Sequence, residues 1–127
     1  MPAGIKQLLA AANKAVPRIT PEEAQALIHE GALLVDVRDG DEVAASGKIR
    51  GAVNVSRGFL EFRADPDHPY HAEEFRRERP VILYCASGGR SALAGRTLQE
   101  MGYARVYNLG AFNDAAEAGL ATQPADG

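Results

Sequence analysis

The stretch Val81-Ile82-Leu83-Tyr84-Cys85-Ala86-Ser87-Gly88-Gly89-Arg90-Ser91 decides how the chain is laid out. Its first four residues are apolar and mostly β-prone, which predicts a short buried strand. A loop of small residues follows, and then a helix-forming run from Ser91 to Met101. In an open parallel sheet, ligands bind outside the carboxyl ends of the strands. Cys85, the only cysteine, falls at that point, where strand gives way to loop. Gly88 and Gly89 tolerate positive φ and carry no Cβ, so the segment Ala86-Ser87-Gly88-Gly89 can curl tightly. Successive N–H groups of such a turn form a nest for an anion. The free N–H groups of a helix beginning near Arg90 add to the same field.

This order of residues carries a chemical expectation. A free cysteine with a pKa near 8.5 is only about 3 % thiolate at pH 7, and lowering it by about two units takes roughly 2.7 kcal/mol. A ring of backbone donors, a helix N-terminus and a nearby arginine can supply that. The competing reading is an inert buried cysteine that acts as a small hydrophobe. That reading needs neither the paired glycines nor the arginine, so a held thiolate accounts for more of the pattern.

Working outward, 127 residues suit one domain with a proper core. An apolar fraction of 46% and a charged fraction of 24% are ordinary for a globular protein. A net charge of -3 argues against nucleic acid and against an anionic membrane surface as partners. No apolar run is long enough to span a bilayer. The start Met1-Pro2-Ala3-Gly4-Ile5-Lys6 has no signal-peptide pattern, and a lone cysteine forms no internal disulfide, so a cytoplasmic protein is expected. A lone cysteine also has no resolving partner in the chain, so any modified form of Cys85 must be discharged by another molecule.

Upstream, residues 4–15 predict a helix with Ile5, Leu8, Leu9 and Ala12 on one face, ended by Pro17. Arg18-Ile19 suggests a very short strand. Thr20, Pro21 and Glu23 form a capping box that opens a helix over 21–30. Residues 32–37 read as a buried strand, 39–46 as a brief helix, and 52–55 as another strand. Phe59, Leu60 and Phe62 mark a helical turn, and Asp65 to Pro69 a loop. A short helix is expected at about 71–78. Downstream, residues 104–107 read as the last strand and 111–118 as the last helix. The expected plan is α/β: a mainly parallel central sheet of about five strands with helices on both faces. Its parts are an N-terminal helical extension (1–17), a domain (18–122) and a flexible tail (123–127).

Three segments then resemble a known family. Asp36-Val37-Arg38 through Gly47-Lys48-Ile49-Arg50-Gly51-Ala52-Val53-Asn54-Val55 is one. The loop from Cys85 to Ser91 is the second. Gly102-Tyr103 followed by Val106-Tyr107-Asn108-Leu109-Gly110 is the third. In this order they are similar to the single-domain rhodanese-like sulfurtransferases. Lys48, Arg50 and Ala111 depart from the family pattern, as does the lack of a tryptophan in the last helix, but none of these lies in the loop. The resemblance implies the rhodanese fold and a Cys85 that takes a sulfur atom from thiosulfate or a related persulfide donor. The resulting persulfide passes its sulfur to cyanide or a thiol.

On this reading Cys85 is the nucleophile, and the N–H groups of Ala86, Ser87, Gly88, Gly89 and Arg90 hold the anionic sulfur. Arg90 either touches the substrate or braces the loop, and pairing with Asp36 is the favoured form of bracing, with Ser91 as a second brace. Arg38, Arg57 and Phe59 are candidates for the pocket mouth. No cofactor is expected. No metal is expected either, since His68 and His71, with Asp65 and Asp67, lack further ligands on rigid elements. His29 reads as helix surface. The partners expected are a small sulfur donor and a thiol or cyanide acceptor, with the N-terminal helix as the candidate surface for a homodimer or partner protein. The alternatives are a phosphatase or arsenate reductase on the same fold, or a non-catalytic sulfur-carrier or regulatory module. Cysteine phosphatases place five residues between cysteine and arginine. Here four stand between Cys85 and Arg90, a tighter cradle suited to sulfur.

Overall fold

A computed structural model describes residues 2–126, so Met1 and Gly127, the two ends of the expected extension and tail, lie outside the described residues. The elements are α1 (Ile5–Ala15), α2 (Pro21–His29), β1 (Leu33–Asp36), α3 (Gly40–Ser46), β2 (Lys48–Ile49), β3 (Val53–Asn54), a 3-10 turn (Arg57–Phe59), α4 (Leu60–Ala64), β4 (Val81–Cys85), α5 (Gly89–Glu100), β5 (Val106–Ala111), α6 (Phe112–Glu117) and β6 (Thr122–Gln123).

The central sheet is parallel, in the order β3-β1-β4-β5. Among the described residues it has four strands rather than five. Arg18 contributes only a one-residue bridge to Asn108 at the β5 edge, because Pro17 and Pro21 leave too little chain for a ladder. A second, antiparallel pair joins β2 to β6. Gln123, expected in the tail, is therefore held: it pairs with Lys48, and its side-chain oxygen accepts from the Gly51 N–H at 3.1 Å.

Alternation along the buried strands assigns the two faces. Val81, Leu83 and Cys85 point toward Leu60, Ala64, Ala94 and Leu98 of α4 and α5. Ile82 and Tyr84 point the other way, toward Ala24, Phe112 and Ala115 of α2 and α6. All five residues of β4 are buried, as a central parallel strand covered on both faces must be. The Tyr84 hydroxyl accepts from the Ile49 N–H at 3.0 Å, which ties the small sheet to the large one.

The helix expected at about 71–78 is absent. Separate turns occupy that stretch, closed by His71 N–H to His68, Phe75 N–H to Ala72 and Arg79 N–H to Arg76. The segment is short, Pro69 and Pro80 bracket it, and its run of charges has no apolar period, so nothing offsets the cost of helix nucleation. Burial of Phe75 in the core anchors it instead.

Helix α1 lies on α5. Ala12 is fully buried, and the Gln99 side-chain amide donates to the Ala15 carbonyl at 2.8 Å. Of the face that carries Ile5, Leu8, Leu9 and Ala12, only the C-terminal part is buried, and Ile5 and Leu8 remain exposed at 62% and 49%.

Candidate active site

Strand β4 ends at Cys85, and α5 begins four residues later at Gly89. The intervening turn is possible because Gly88 takes φ 98, ψ -6, a left-handed conformation that costs other residues strain. Gly88 directs its N–H to the Cys85 sulfur at 3.0 Å. The Ser91 hydroxyl stands 3.5 Å from the same sulfur. Burial pushes the thiol up, but the Ser91 hydroxyl and the N–H groups of Ser91, Ser87 and Gly88 pull it down by more. The net result lies below the usual thiol value. The donors toward the sulfur thus come from the second half of the loop and the first turn of α5.

Asn108 of β5 organises this turn, and the sequence reading did not single it out. Its side chain is buried. Its Oδ1 accepts from the Ser91 hydroxyl at 2.7 Å and from the Gly110 N–H at 2.9 Å. Its Nδ2 donates to the Gly88 carbonyl at 3.1 Å. The two backbone partners fix which amide atom is which, since an N–H can only donate and a carbonyl can only accept. The available sequence signal was an asparagine between Tyr107 and Leu109 in a strand, a position where that residue type is disfavoured unless its amide is engaged.

Arg90 is paired, but not with the carboxylate expected for it. Its guanidinium grips Glu42 of α3 in a bidentate pair at 2.6 and 2.9 Å. Arg90 and the Asp39 N–H together hold the Glu42 carboxyl down at about 2. Asp36 is unavailable because Arg38, two residues away, takes it first. Arg38 Nε lies 3.0 Å from Oδ1 and its Nη2 lies 2.7 Å from Oδ2, with both residues buried. Arg38 also donates to Ser46 Oγ at 2.8 Å and to the Gly47 carbonyl at 2.7 Å, and its guanidinium lies 4.2 Å from the centre of the Phe112 ring. Asp36 therefore acts at one remove: it seats Arg38, Arg38 seats α3, and α3 presents Glu42 to Arg90.

The candidate mouth residues divide. A cavity of about 190 Å³ reaches the loop at Ala86, the residue after Cys85, and is walled also by Arg38, Glu42, Ser46, Phe112 and Asn113. Arg38 lines it, though as a buried brace rather than a mobile lip. Arg57 belongs elsewhere: it donates to Glu61 and Thr97 and lines a separate groove of about 450 Å³ between α1 and α5. Phe59 stacks on Phe62 at 5.4 Å and meets Tyr70 at 5.7 Å, in an exposed aromatic cluster. Sequence spacing alone could not separate these three, because each follows a strand at the same end of the sheet. Among the described residues, no group of acidic, histidine or cysteine side chains gathers as a metal site. No helix among them is long and apolar enough to cross a membrane.

The comparisons agree with this geometry. The family described as rhodanese-like domain matches residues 20–117. The chain is 38% identical over 93 residues to thiosulfate sulfurtransferase GlpE of Pseudomonas fluorescens, spanning 72% of this chain and 76% of that protein. It is 36% identical over 118 residues to the GlpE of Actinobacillus succinogenes, spanning 89% of this chain and 96% of the other. Among solved structures it resembles a Rhodopseudomonas palustris protein of unknown function described as a possible tyrosine phosphatase, with TM-score 0.86, 37% identity and coverage of 97% and 96%. It also resembles the polysulfide-sulfur transferase homodimer of Wolinella succinogenes, with TM-score 0.73, 34% identity and coverage of 91% and 84%. With a cysteine at the end of the central strand and a turn of amides closed over its sulfur, the chain belongs to the rhodanese-like domain family and is a sulfurtransferase.

Proposed function

We propose that the chain moves a sulfane sulfur from thiosulfate or a related persulfide donor to a thiophilic acceptor, through a persulfide on Cys85. In the first half, the Cys85 thiolate attacks the outer sulfur of the donor. A new S–S bond forms, the donor's S–S bond breaks, and sulfite leaves with the electron pair when the donor is thiosulfate. In the second half, cyanide or a thiolate attacks the outer sulfur, and the Cys85 thiolate is the leaving group. The observation that carries this reading is the Gly88 N–H placed 3.0 Å from the Cys85 sulfur within a turn of four residues. The Glu42–Arg90 pair keeps that turn closed from outside.

The alternative is a phosphatase or arsenate reductase, and the description of the Rhodopseudomonas palustris neighbour points that way. Two features weigh against it. The loop is one residue shorter than a phosphate cradle, and Arg90, the residue that would grip the oxyanion, already has both of its terminal nitrogens on Glu42. The presence of Cys85 weighs against a regulatory module with no chemistry.

The acceptor must come from outside, since the chain has one cysteine. The exposed Ile5 and Leu8 on α1 are the surface offered to a homodimer or partner protein. An unpaired reactive thiol suits the reducing cytoplasm. Incubation with thiosulfate followed by intact-mass spectrometry tests the reading. The wild type should gain one sulfur atom, removable by cyanide, and Cys85→Ser should gain none. Phosphate-ester turnover without sulfur loading overturns it.

A further inference from the structure

We propose that the Ser91 hydroxyl is a two-position hydrogen-bond donor that follows charge on and off the Cys85 sulfur, with Asn108 as the positioning residue that receives it between turns. The inference rests on the persulfide reading above and names residues that reading does not require.

Ser91 has one hydroxyl proton and two acceptors within reach, Asn108 Oδ1 at 2.7 Å and Cys85 Sγ at 3.5 Å. All three side chains are buried, so water does not compete for the proton. The contact to Asn108 is the shorter of the two. Turning the hydroxyl from Asn108 to sulfur is a rotation about the Cβ–Oγ bond, with no proton transferred between residues. It strands nothing, because Oδ1 keeps the Gly110 N–H at 2.9 Å and Nδ2 keeps the Gly88 carbonyl at 3.1 Å. A buried acceptor left without a donor would make the rotation costly. The second donor on Oδ1 removes that obstacle.

The need for such a donor changes through the cycle. In the persulfide the charge sits on the outer sulfur, and Sγ is a neutral sulfur in an S–S bond. When the acceptor attacks the outer sulfur, that bond breaks and its electron pair returns to Sγ. At that moment the hydroxyl turns from Asn108 to Sγ, and the leaving thiolate gains a donor. Loading runs the sequence in reverse: as Sγ gives up its charge in the new bond, the hydroxyl returns to Asn108. The pair therefore favours discharge over loading.

The test separates the two half-reactions and measures the thiol independently of either. Alkylation of the resting enzyme by iodoacetamide as a function of pH reads the thiol pKa whether or not sulfur is ever transferred. Ser91→Ala should raise that pKa by about one unit, matching the tenfold loss expected for one hydrogen bond to a charged group. It should also slow cyanide discharge of the preformed persulfide by about tenfold while loading slows less. Ser91→Thr, which keeps the hydroxyl, should restore both. Asn108→Ala should shift the alkylation profile in the wild-type background and leave it unmoved in the Ser91→Ala background, because its effect passes through the hydroxyl. An equal Asn108→Ala shift in both backgrounds overturns the proposal, as does a Ser91→Ala enzyme with an unchanged alkylation profile. A wild type that never loads sulfur refutes the persulfide reading instead, and the alkylation profiles still judge this one. Should Asn108→Ala fail to fold by circular dichroism, the Ser91→Ala and Ser91→Thr pair decides.

Discussion

Gly88→Ala sets backbone strain against the hydrogen bonds that hold the loop after Cys85. At φ 98 an alanine is strained, and left-handed backbone costs an L-residue about 1–2 kcal/mol. The added Cβ would meet the Gly110 Cα at 3.3 Å, a tight contact, and the Arg18 guanidinium at 3.4 Å, which can move aside. The loop could escape by turning the peptide, but it would give up three bonds: Gly88 N–H to Cys85 Sγ at 3.0 Å, Ala92 N–H to the Gly88 carbonyl at 3.1 Å, and Asn108 Nδ2 to the same carbonyl at 3.1 Å. A bond to a charged sulfur contributes about 1.5–3 kcal/mol and each of the others about 1, so escape costs roughly 3.5–5 kcal/mol. That exceeds the strain. The loop should stay closed, and the substitution should appear as lost stability of about 1–2 kcal/mol, a drop of several degrees in Tm for a domain of this size. Thermal unfolding followed by circular dichroism measures the first quantity, and the pH profile of iodoacetamide alkylation measures the second. The Cys85 pKa should move by less than about half a unit, under 0.7 kcal/mol. An unchanged Tm with the thiol pKa raised by a unit or more refutes the reasoning, because it would mean the three bonds do not hold the turn.

Further expectations concern packing and pH. Gly95→Ala in α5 gains about 1 kcal/mol of helix propensity but drives a Cβ to 2.9 Å from Val16 Cγ1 and 3.2 Å from Val106 Cγ1. Overpacking costs about 1–3 kcal/mol, so a net loss of about 1 kcal/mol in urea unfolding is expected, with α1 the element that shifts. Glu42→Gln weakens the Arg90 brace. The pair is about one-third exposed, so the loss should stay below about 1 kcal/mol. The folded carboxyl lies at about 2, below its ordinary 4.5, so the advantage of wild type over variant is complete above the ordinary value and fades as pH falls through about 2. A Tm difference that persists unchanged at pH 2 would contradict this. The Cys85 thiol is likewise depressed. Wild type should gain stability over Cys85→Ser as pH rises toward the ordinary thiol range of about 9, and that gain should disappear as pH falls through the folded thiol's own value. Urea unfolding of both proteins across that range checks the direction.

Residue patterning was enough to read the alternation of strands and helices, the burial of β4 and the place of Cys85 in the fold. Each is a local matter: apolar runs, capping residues and paired glycines act over a few residues. Even there it erred at 71–78, where the bracketing prolines and the lack of an apolar period leave only turns, anchored by the buried Phe75 ring. Tertiary structure alone decided which charges meet. Asp36 and Arg90 looked like partners because both follow a strand at the same end of the sheet. Arg38 is nearer to Asp36 and is buried with it, and Glu42 reaches Arg90 only because α3 folds back across the loop. Asn108 escaped notice for the same reason: its three partners lie 2, 17 and 20 residues away in sequence. Hydrogen bonds and ion pairs depend on distances of a few tenths of an ångström. Those distances are set when separate elements pack, and no single stretch of sequence contains them.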